Sequence, residues 1–208
     1  MSDLRLDKGK ATRGRLVSAA RDLFAERGYE GTSIEAVLAV AEVKRGSLYH
    51  HFPSKEALFD AVLDGLLRDI ADSAATAARA AGTDPIANLR AGCLSWLHMA
   101  LDDAIQRIVL VDAPSVVGWQ RVRDLDKQHA LGRLRANLSR VATSVRLPDG
   151  QVDIMAHMLL AALGEAALLI ARAEDQQAAL ETATAAVSTL IDRLLSPAPP
   201  VTTTRRRP

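Results

Sequence analysis

"VKRGSLYHHFPSKEALF", residues 43–59, gathers Lys44, Arg45 and Lys55, two adjacent histidines and a tyrosine into one short stretch. Leu48 and Phe52 stand four residues apart, so on a helix they share an inner face and leave Lys44, Arg45, Ser47, Tyr49 and His50 mostly outside. Pro53 breaks that helix, and Ser54 is placed to cap the next one. From there Leu58, Phe59, Val62, Leu63, Leu66, Leu67 and Ile70 form the stripe of a long amphipathic helix running toward Gly82.

Upstream, Leu16, Ala20, Leu23 and Phe24 recur with helical spacing and Arg27-Gly28 supplies a stop, which predicts a helix near 12–27. Thr32-Ser33-Ile34-Glu35 fits a capping box on Thr32, followed by a short helix whose inner face is Ile34, Val37, Leu38 and Ala41. The chain then turns at Ala41-Glu42-Val43 and restarts. Two short helices across so tight a turn make a helix-turn-helix, whose second helix fits a DNA major groove. Arg45 has the fork for guanine; Ser47, Tyr49 and His50 reach toward base edges or phosphates, and Lys55 toward a phosphate. Thr32 and Ser33 offer amides and hydroxyls at a helix N-terminus. Lys44 near the start of its helix opposes the macrodipole by roughly 0.3–1 kcal/mol, a penalty that a bound phosphate would reverse and a solvated face would simply bear.

Downstream the signals stay helical. Asp84-Pro85 opens a helix through about Leu101; Pro114 and Gly118 interrupt the middle, with a short helix near 104–110 and a longer one over 119–143. "LPDG", 147–150, is a turn, and two long apolar helices follow over 151–173 and 177–195. Residues 196–208, Pro/Thr-rich and ending in Arg205–Arg207, have no apolar face and are expected to be disordered, as is a flexible lead over 1–11. No segment reads as a strand. The fold class is all-α, about nine helices: a helix-turn-helix domain over 12–56 and a helical bundle over 57–195.

Composition narrows the function. With 49% apolar residues the chain can bury a proper core, and a single cysteine, Cys93, excludes an intrachain disulfide and a cysteine zinc cluster. Neither Cys93 with His98 nor Asp102 with Asp103 has a supporting catalytic motif, so no enzyme, cofactor or metal site is expected. Residues 154–173 are nearly long and apolar enough for a membrane span, but His157 and Glu165 inside them argue for a buried helix. No secretory signal is present, and a cytoplasmic location is expected. Net charge is +1, distributed unevenly: residues 1–56 hold ten Lys/Arg against eight Asp/Glu, residues 57–196 thirteen against seventeen. A helical protein-interaction module without sequence-specific DNA binding is the competing class.

"LVSAARDLFAERG" followed by "GYEGTSIEAVLAVAEVKRGSLYHHFPSKEALFDAVL" resembles the DNA-binding domain of the TetR/AcrR family of bacterial transcriptional regulators over roughly residues 12–65. The resemblance implies recognition positions at Arg45, Gly46, Ser47, Tyr49 and His50, with Thr32, Ser33, Lys44, His51 and Lys55 at phosphate-contacting places. Glu42 departs from the family's usual turn glycine and Lys44 from its usual Ser or Thr; a left-handed glutamate costs of order 1 kcal/mol, so a tighter or shifted turn is expected. The resemblance further implies a homodimer through the 151–173 and 177–195 helices, a palindromic operator, and repression relieved by a small-molecule effector. Trp96, Met99, Asp112, Trp119 and His129 are the candidate effector contacts, with His98, His157 and Glu165 as further polar groups, and the two tryptophans favour a hydrophobic or aromatic effector.

Overall fold

Helix formation begins well before the apolar pattern does. The computed structural model describes residues 2–145 and 150–195, with side chains placed over 8–142 and 150–195. Its first helix, α1, spans Ser2–Gly31, so most of the lead expected to be flexible is helical. It is broken by a kink at Gly28, where φ is 71° and ψ is 174°. Then come α2 (Ile34–Ala41), α3 (Arg45–His51), α4 (Lys55–Ala80) and α5 (Pro85–Met99). Helix α6 opens in π form over Ile105–Asp112 and runs directly into the α turn Ala113–Val116. Helix α7 comprises Gly118–Asp126, a π segment Lys127–Leu131 and Gly132–Val145; α8 is Gln151–Arg172 and α9 is Gln176–Leu195. Among the described residues the fold is nine helices and no strand. Most of the turn expected at 147–150, and the tail from 196, lie outside the described residues.

The caps account for the boundaries. Ser33 Oγ accepts from the Ala36 amide and Ser54 Oγ from Ala57, while Asp84 accepts from Ile86 and Ala87 with Pro85 opening the helix. Each such cap stabilises its helix by about 1 kcal/mol. The capping box expected on Thr32 does not form. Thr32 is buried, and its hydroxyl donates to the carbonyls of Gly28 (2.8 Å) and Leu23 (3.0 Å), mending the backbone that the kink opens. Glu42 does take the left-handed conformation, φ 53° and ψ 44°, with its amide on the Ala39 carbonyl and that of Val43 on Leu38. The turn therefore keeps the left-handed geometry that the glutamate was expected to shift. Pro114, read as an interruption, sits inside α6 just after its π segment gives way to the α turn Ala113–Val116.

Two apolar cores meet where Trp96 of α5 and Leu110 of α6 pack against both. One joins Leu16, Phe24, Val37, Leu48 and Phe52 to Leu58, Phe59 and Leu63 and extends into α6 through Ile105 and Ile108. The other joins α5, α7, α8 and α9 through Leu89, Leu97, Leu138, Leu159, Leu163 and Ile191. Fully burying a side chain such as Leu48 contributes about 1.5–3 kcal/mol, which fixes α3 on α1 and α4 despite its seven residues. The first core crosses the expected 56/57 boundary, because the first turns of α4 belong to it.

At the kink, a Cβ on Gly28 would lie 2.1 Å from the Arg107 guanidinium, in a region of backbone space reserved for glycine. Gly28→Ala should lower stability by about 1–3 kcal/mol. Combining it with Arg107→Ala should recover only the steric part, measured by urea denaturation of both variants. An unchanged midpoint in the single variant would mean the kink carries no strain.

Candidate nucleic-acid interface

Lys44, Arg45, Gly46, Tyr49 and His50 are all exposed on one end and flank of α3; Ser47 and His51 are half-buried. Arg45 pairs with Glu35 of α2 at 3.2 Å and lies 5.9 Å from the Tyr49 ring; its hydrogen bond to Tyr49 raises its pKa above the usual arginine value. Lys44 stands at the N-cap without a capping side chain, and no acid occupies the first turn, so nothing within the helix offsets its charge against the dipole. At the other end, His50 and His51 pack edge to face with centroids 5.4 Å apart, in the last turn where a cation is favourable. Ser33 is exposed at the start of α2.

Two of the expected phosphate contacts are committed elsewhere. Thr32 is 1% exposed, with its amide on the Tyr29 carbonyl and its hydroxyl on α1. Lys55 lies 4.1 Å above the Tyr29 ring and donates to the carbonyls of Tyr29 (2.9 Å) and Thr32 (3.1 Å), so it closes the end of α1. Both belong to the joint that holds the helix-turn-helix together. The remaining eight candidates, Ser33, Lys44, Arg45, Gly46, Ser47, Tyr49, His50 and His51, cluster around α3 and the start of α2.

A cavity of about 530 Å³ opens behind this unit, between α4, α5, α7 and α8. Its apolar wall includes Leu67, Ile70, Leu89, Trp96, Leu160 and Leu163. Of the five residues expected to meet an effector, Trp96 and His129 line it; the Trp96 indole donates to the Leu163 carbonyl at 3.1 Å, and His129 Nε2 lies 2.8 Å from Asp64. The other three do not. Trp119 is 65% exposed on the opposite side of the α6–α7 break, and Met99 packs against the first core. Asp112 is buried and accepts from the Tyr29 amide at 2.7 Å and from Arg107 Nε at 3.3 Å, tying α6 to the kink of α1. Of the further polar groups, His98 bonds back to the Leu94 carbonyl of its own helix, and His157 and Glu165 are exposed.

Asp126, absent from the expected contacts, also lines the cavity. Val122, Asp126 and His129 share one helix face at i, i+4 and i+7, and an acid within an inward stripe is the signal that would have found it. Burial pushes its carboxyl up to about 6, against the opposing effects of Arg123 and His129. Cys93 lines the same cavity, and burial pushes its thiol up to about 12, leaving no thiolate for nucleophilic chemistry. Among the described residues, no cluster of three or more His, Cys, Asp or Glu side chains could hold a metal ion.

Helix α8 carries a second apolar surface. Ala156, Leu159, Leu163, Ala167 and Ile170 face the core, but Ile154, Met158 and Leu169 are about 60% exposed. With Ala161 and Glu165 they form one stripe along the helix. The helix expected to be buried is therefore covered on one side only. It is also the one helix among the described residues that is long and apolar enough to cross a membrane, with 28% of that window buried.

The Asp126 carboxyl, raised in the folded state from an ordinary value near 3.9, stabilises the protein fully only below pH ~4 and loses that contribution as pH rises through about 6. Asp126→Asn should therefore be more stable than the parent by about 1–2 kcal/mol at pH 7.5, with the difference vanishing toward pH 4. Urea titrations of both proteins at the two pH values test this; a difference independent of pH would rule it out.

Comparison with known proteins places these features in context. Residues 16–62 match the family model described as bacterial regulatory proteins, tetR family, and residues 86–194 match the tetracyclin repressor-like C-terminal domain. The crystal structure of a TetR-family transcriptional regulator from Pectobacterium atrosepticum is similar at a TM-score of 0.77 and 31% identity, covering 92% of this chain and 98% of that one. The transposon Tn10 TetC protein of Escherichia coli is 26% identical over 150 residues, 72% of this chain and 75% of its own length. The HTH-type transcriptional regulator UidR of Escherichia coli K12 is 40% identical over 63 residues, 30% of this chain and 32% of its own.

Proposed function

The chain belongs to the TetR family of bacterial regulatory proteins, DNA-binding transcriptional regulators, and from that membership we propose how it reads its operator and what releases it. Helix α3 enters the major groove, with Arg45, Ser47, Tyr49 and His50 on base edges and Ser33, Lys44 and His51 on phosphates. Gly46 carries this reading. It sits in the first turn of a short helix, where glycine is weaker than alanine by up to about 0.5–1 kcal/mol, yet apart from its own helix backbone and chain neighbours nothing lies within 4 Å of where its Cβ would be. The chain's own packing does not require the missing side chain; a surface approaching closely from outside does. Lys44, unopposed at the N-cap, is relieved by the same surface if it is a phosphate backbone.

Two copies pair through α8 and α9. The stripe of Ile154, Met158, Ala161 and Leu169, with Leu190 exposed on α9, supplies the apolar area, and small residues let helices approach closely. Paired recognition helices read half-sites about one helical turn apart, which makes the operator palindromic. An effector in the cavity between α4, α5, α7 and α8 favours a spacing that no longer fits the DNA, so the protein acts as a repressor released by a small molecule. As a member of a family of transcriptional regulators it acts by binding, not by catalysis, and its place of work is the cytoplasm.

DNA from upstream of the protein's own gene, labelled for fluorescence anisotropy, tests the recognition helix. Arg45→Ala with Tyr49→Ala should weaken selective binding by about 100-fold with an unchanged melting temperature, at roughly 1–3 kcal/mol per lost base contact. Selective binding untouched by both changes would remove α3 from the groove. Sedimentation velocity tests the pairing: Met158→Lys with Leu169→Lys should convert a dimer to a monomer that loses the full-length operator. A parent protein already monomeric at micromolar concentration would exclude the α8–α9 interface.

A further inference from the structure

Neutralising phosphates supplies much of the affinity of a protein for DNA, and it needs cations that the protein does not already use. On the outer face of α3 such cations are scarce. Arg45 is held by Glu35, and Lys55 is turned inward to the carbonyls of Tyr29 and Thr32, which leaves Lys44 at the N-cap. Residues 1–56 are nevertheless positive, with ten Lys/Arg against eight Asp/Glu. The excess sits in one place. Residues 8–15, "KGKATRGR", carry Lys8, Lys10, Arg13 and Arg15 and no acid, a charge of +4, so the rest of 1–56, with six cations and eight acids, comes to −2.

All four cations are exposed on the early turns of α1. Among the described residues none of them meets a carboxylate, whereas Arg21, Arg68, Arg90 and Arg121 each pair with an aspartate. Unpaired surface cations are ordinary by themselves; the place to which α1 carries these is not.

The Arg13 guanidinium lies 5.0 Å from the centre of the Phe52 ring, at the C-cap of α3, and a Cβ on Gly9 would lie 3.9 Å from His51 Cε1. The basic segment therefore adjoins the C-terminal end of α3, while Lys44 stands at the other end. Lys10 and Arg13, three residues apart, share the flank of α1 nearer to that end, and Lys8 and Arg15, seven apart, share another. A helix lying in a major groove about 12 Å wide has a phosphate strand at either rim, so a recognition helix gains from cations beyond both of its ends.

We propose that residues 8–15 of α1 are a second DNA-binding element, in which Lys10 and Arg13 contact backbone phosphates beyond the C-terminal end of α3, outside the bases that α3 reads. Arg13 does so from its seat on Phe52, which fixes the segment against α3. The contact is to charge and not to sequence, so it adds affinity without preference. It rests on the reading of α3 as the recognition helix.

Two duplexes of equal length, one from upstream of the protein's own gene and one scrambled, are titrated with the full chain by fluorescence anisotropy over a range of salt concentrations. Lys10→Ala with Arg13→Gln should flatten the slope of log K against log salt by roughly 2 per chain on both duplexes, at about 0.9 per phosphate contact, and weaken binding to both by the same factor. Lys8→Ala with Arg15→Ala removes the same charge from the other flank and should flatten the slope by less than half as much. Lys10→Arg with Arg13→Lys should keep the parent slope. Should the Phe52 packing suffer in the first variant, seen as a lowered melting temperature, Lys10→Ala alone should still flatten the slope by about 1. Parent slopes in the Lys10 variants, or equal effects of the two pairs, overturn the proposal, and so does a changed preference between the duplexes, which would put these side chains on bases. Any of these, with selective binding still lost in Arg45→Ala with Tyr49→Ala, leaves the α3 reading standing; a parent that binds neither duplex at the lowest salt defeats that reading and the proposal with it.

Discussion

The Asp112 carboxylate, held against the kink of α1, is the contact on which the arrangement of the molecule turns. Gly28 leaves helical geometry at φ 71°, and the chain must then satisfy the polar groups that the kink exposes inside an aromatic cluster of Phe24, Tyr29 and Phe59. Thr32 and Lys55 take the carbonyls and Asp112 takes the Tyr29 amide. An amide stranded there would cost about 1–3 kcal/mol, and an unpaired buried carboxylate more, so each stabilises the fold only because the other is present. The effect is to bond the helix-turn-helix to α6, a helix of the other half of the chain.

Helix α4 supplies the second connection. Its first turns carry Leu58, Phe59, Val62 and Leu63 into the core beneath α3, and its last turns form a wall of the cavity. A rigid helix shared in this way turns a change at one end into a displacement at the other. Asp60 and Asp64 in its first half are bonded to Arg121 and His129 of α7, so α4 and α7 are fastened side by side. In the proposed dimer, a ligand separating or drawing together α4 and α7 would act on the spacing of the recognition helices to the extent that it binds one spacing better than the other.

The fold was legible because its signals are local. Ser54 and Asp84-Pro85 mark helix starts within a residue, the cap of α2 falls one residue after the expected Thr32, and the stripes of α4 and α8 gave their lengths closely. The misreadings come mostly from burial and contacts that residue type alone does not disclose. Thr32 is as good a cap as Ser33 by type; burial against Leu23 and Gly28 decides between them. Lys55 looks like a free cation until Tyr29, 26 residues away, is placed beneath it. Asp112 and Trp119 flank a break that reads as a pocket mouth, but the break turns Asp112 toward α1 and Trp119 to solvent. Asp126 was overlooked because acids are usually solvent-facing, and only its neighbours on the helix face show otherwise.

Where local rules are broken, the breach falls into two kinds. Gly28 and Glu42 depart from helical backbone geometry, and the chain itself compensates, through Thr32 and Asp112 at the first and through the carbonyls of Leu38 and Ala39 at the second. Lys44 and Gly46 are different: one sets a charge against the helix dipole and the other weakens a seven-residue helix, and nothing inside the molecule offsets either. A stable fold tolerates such uncompensated costs where a partner removes them, which is the ground on which the outer face of α3 is proposed as the surface that meets DNA.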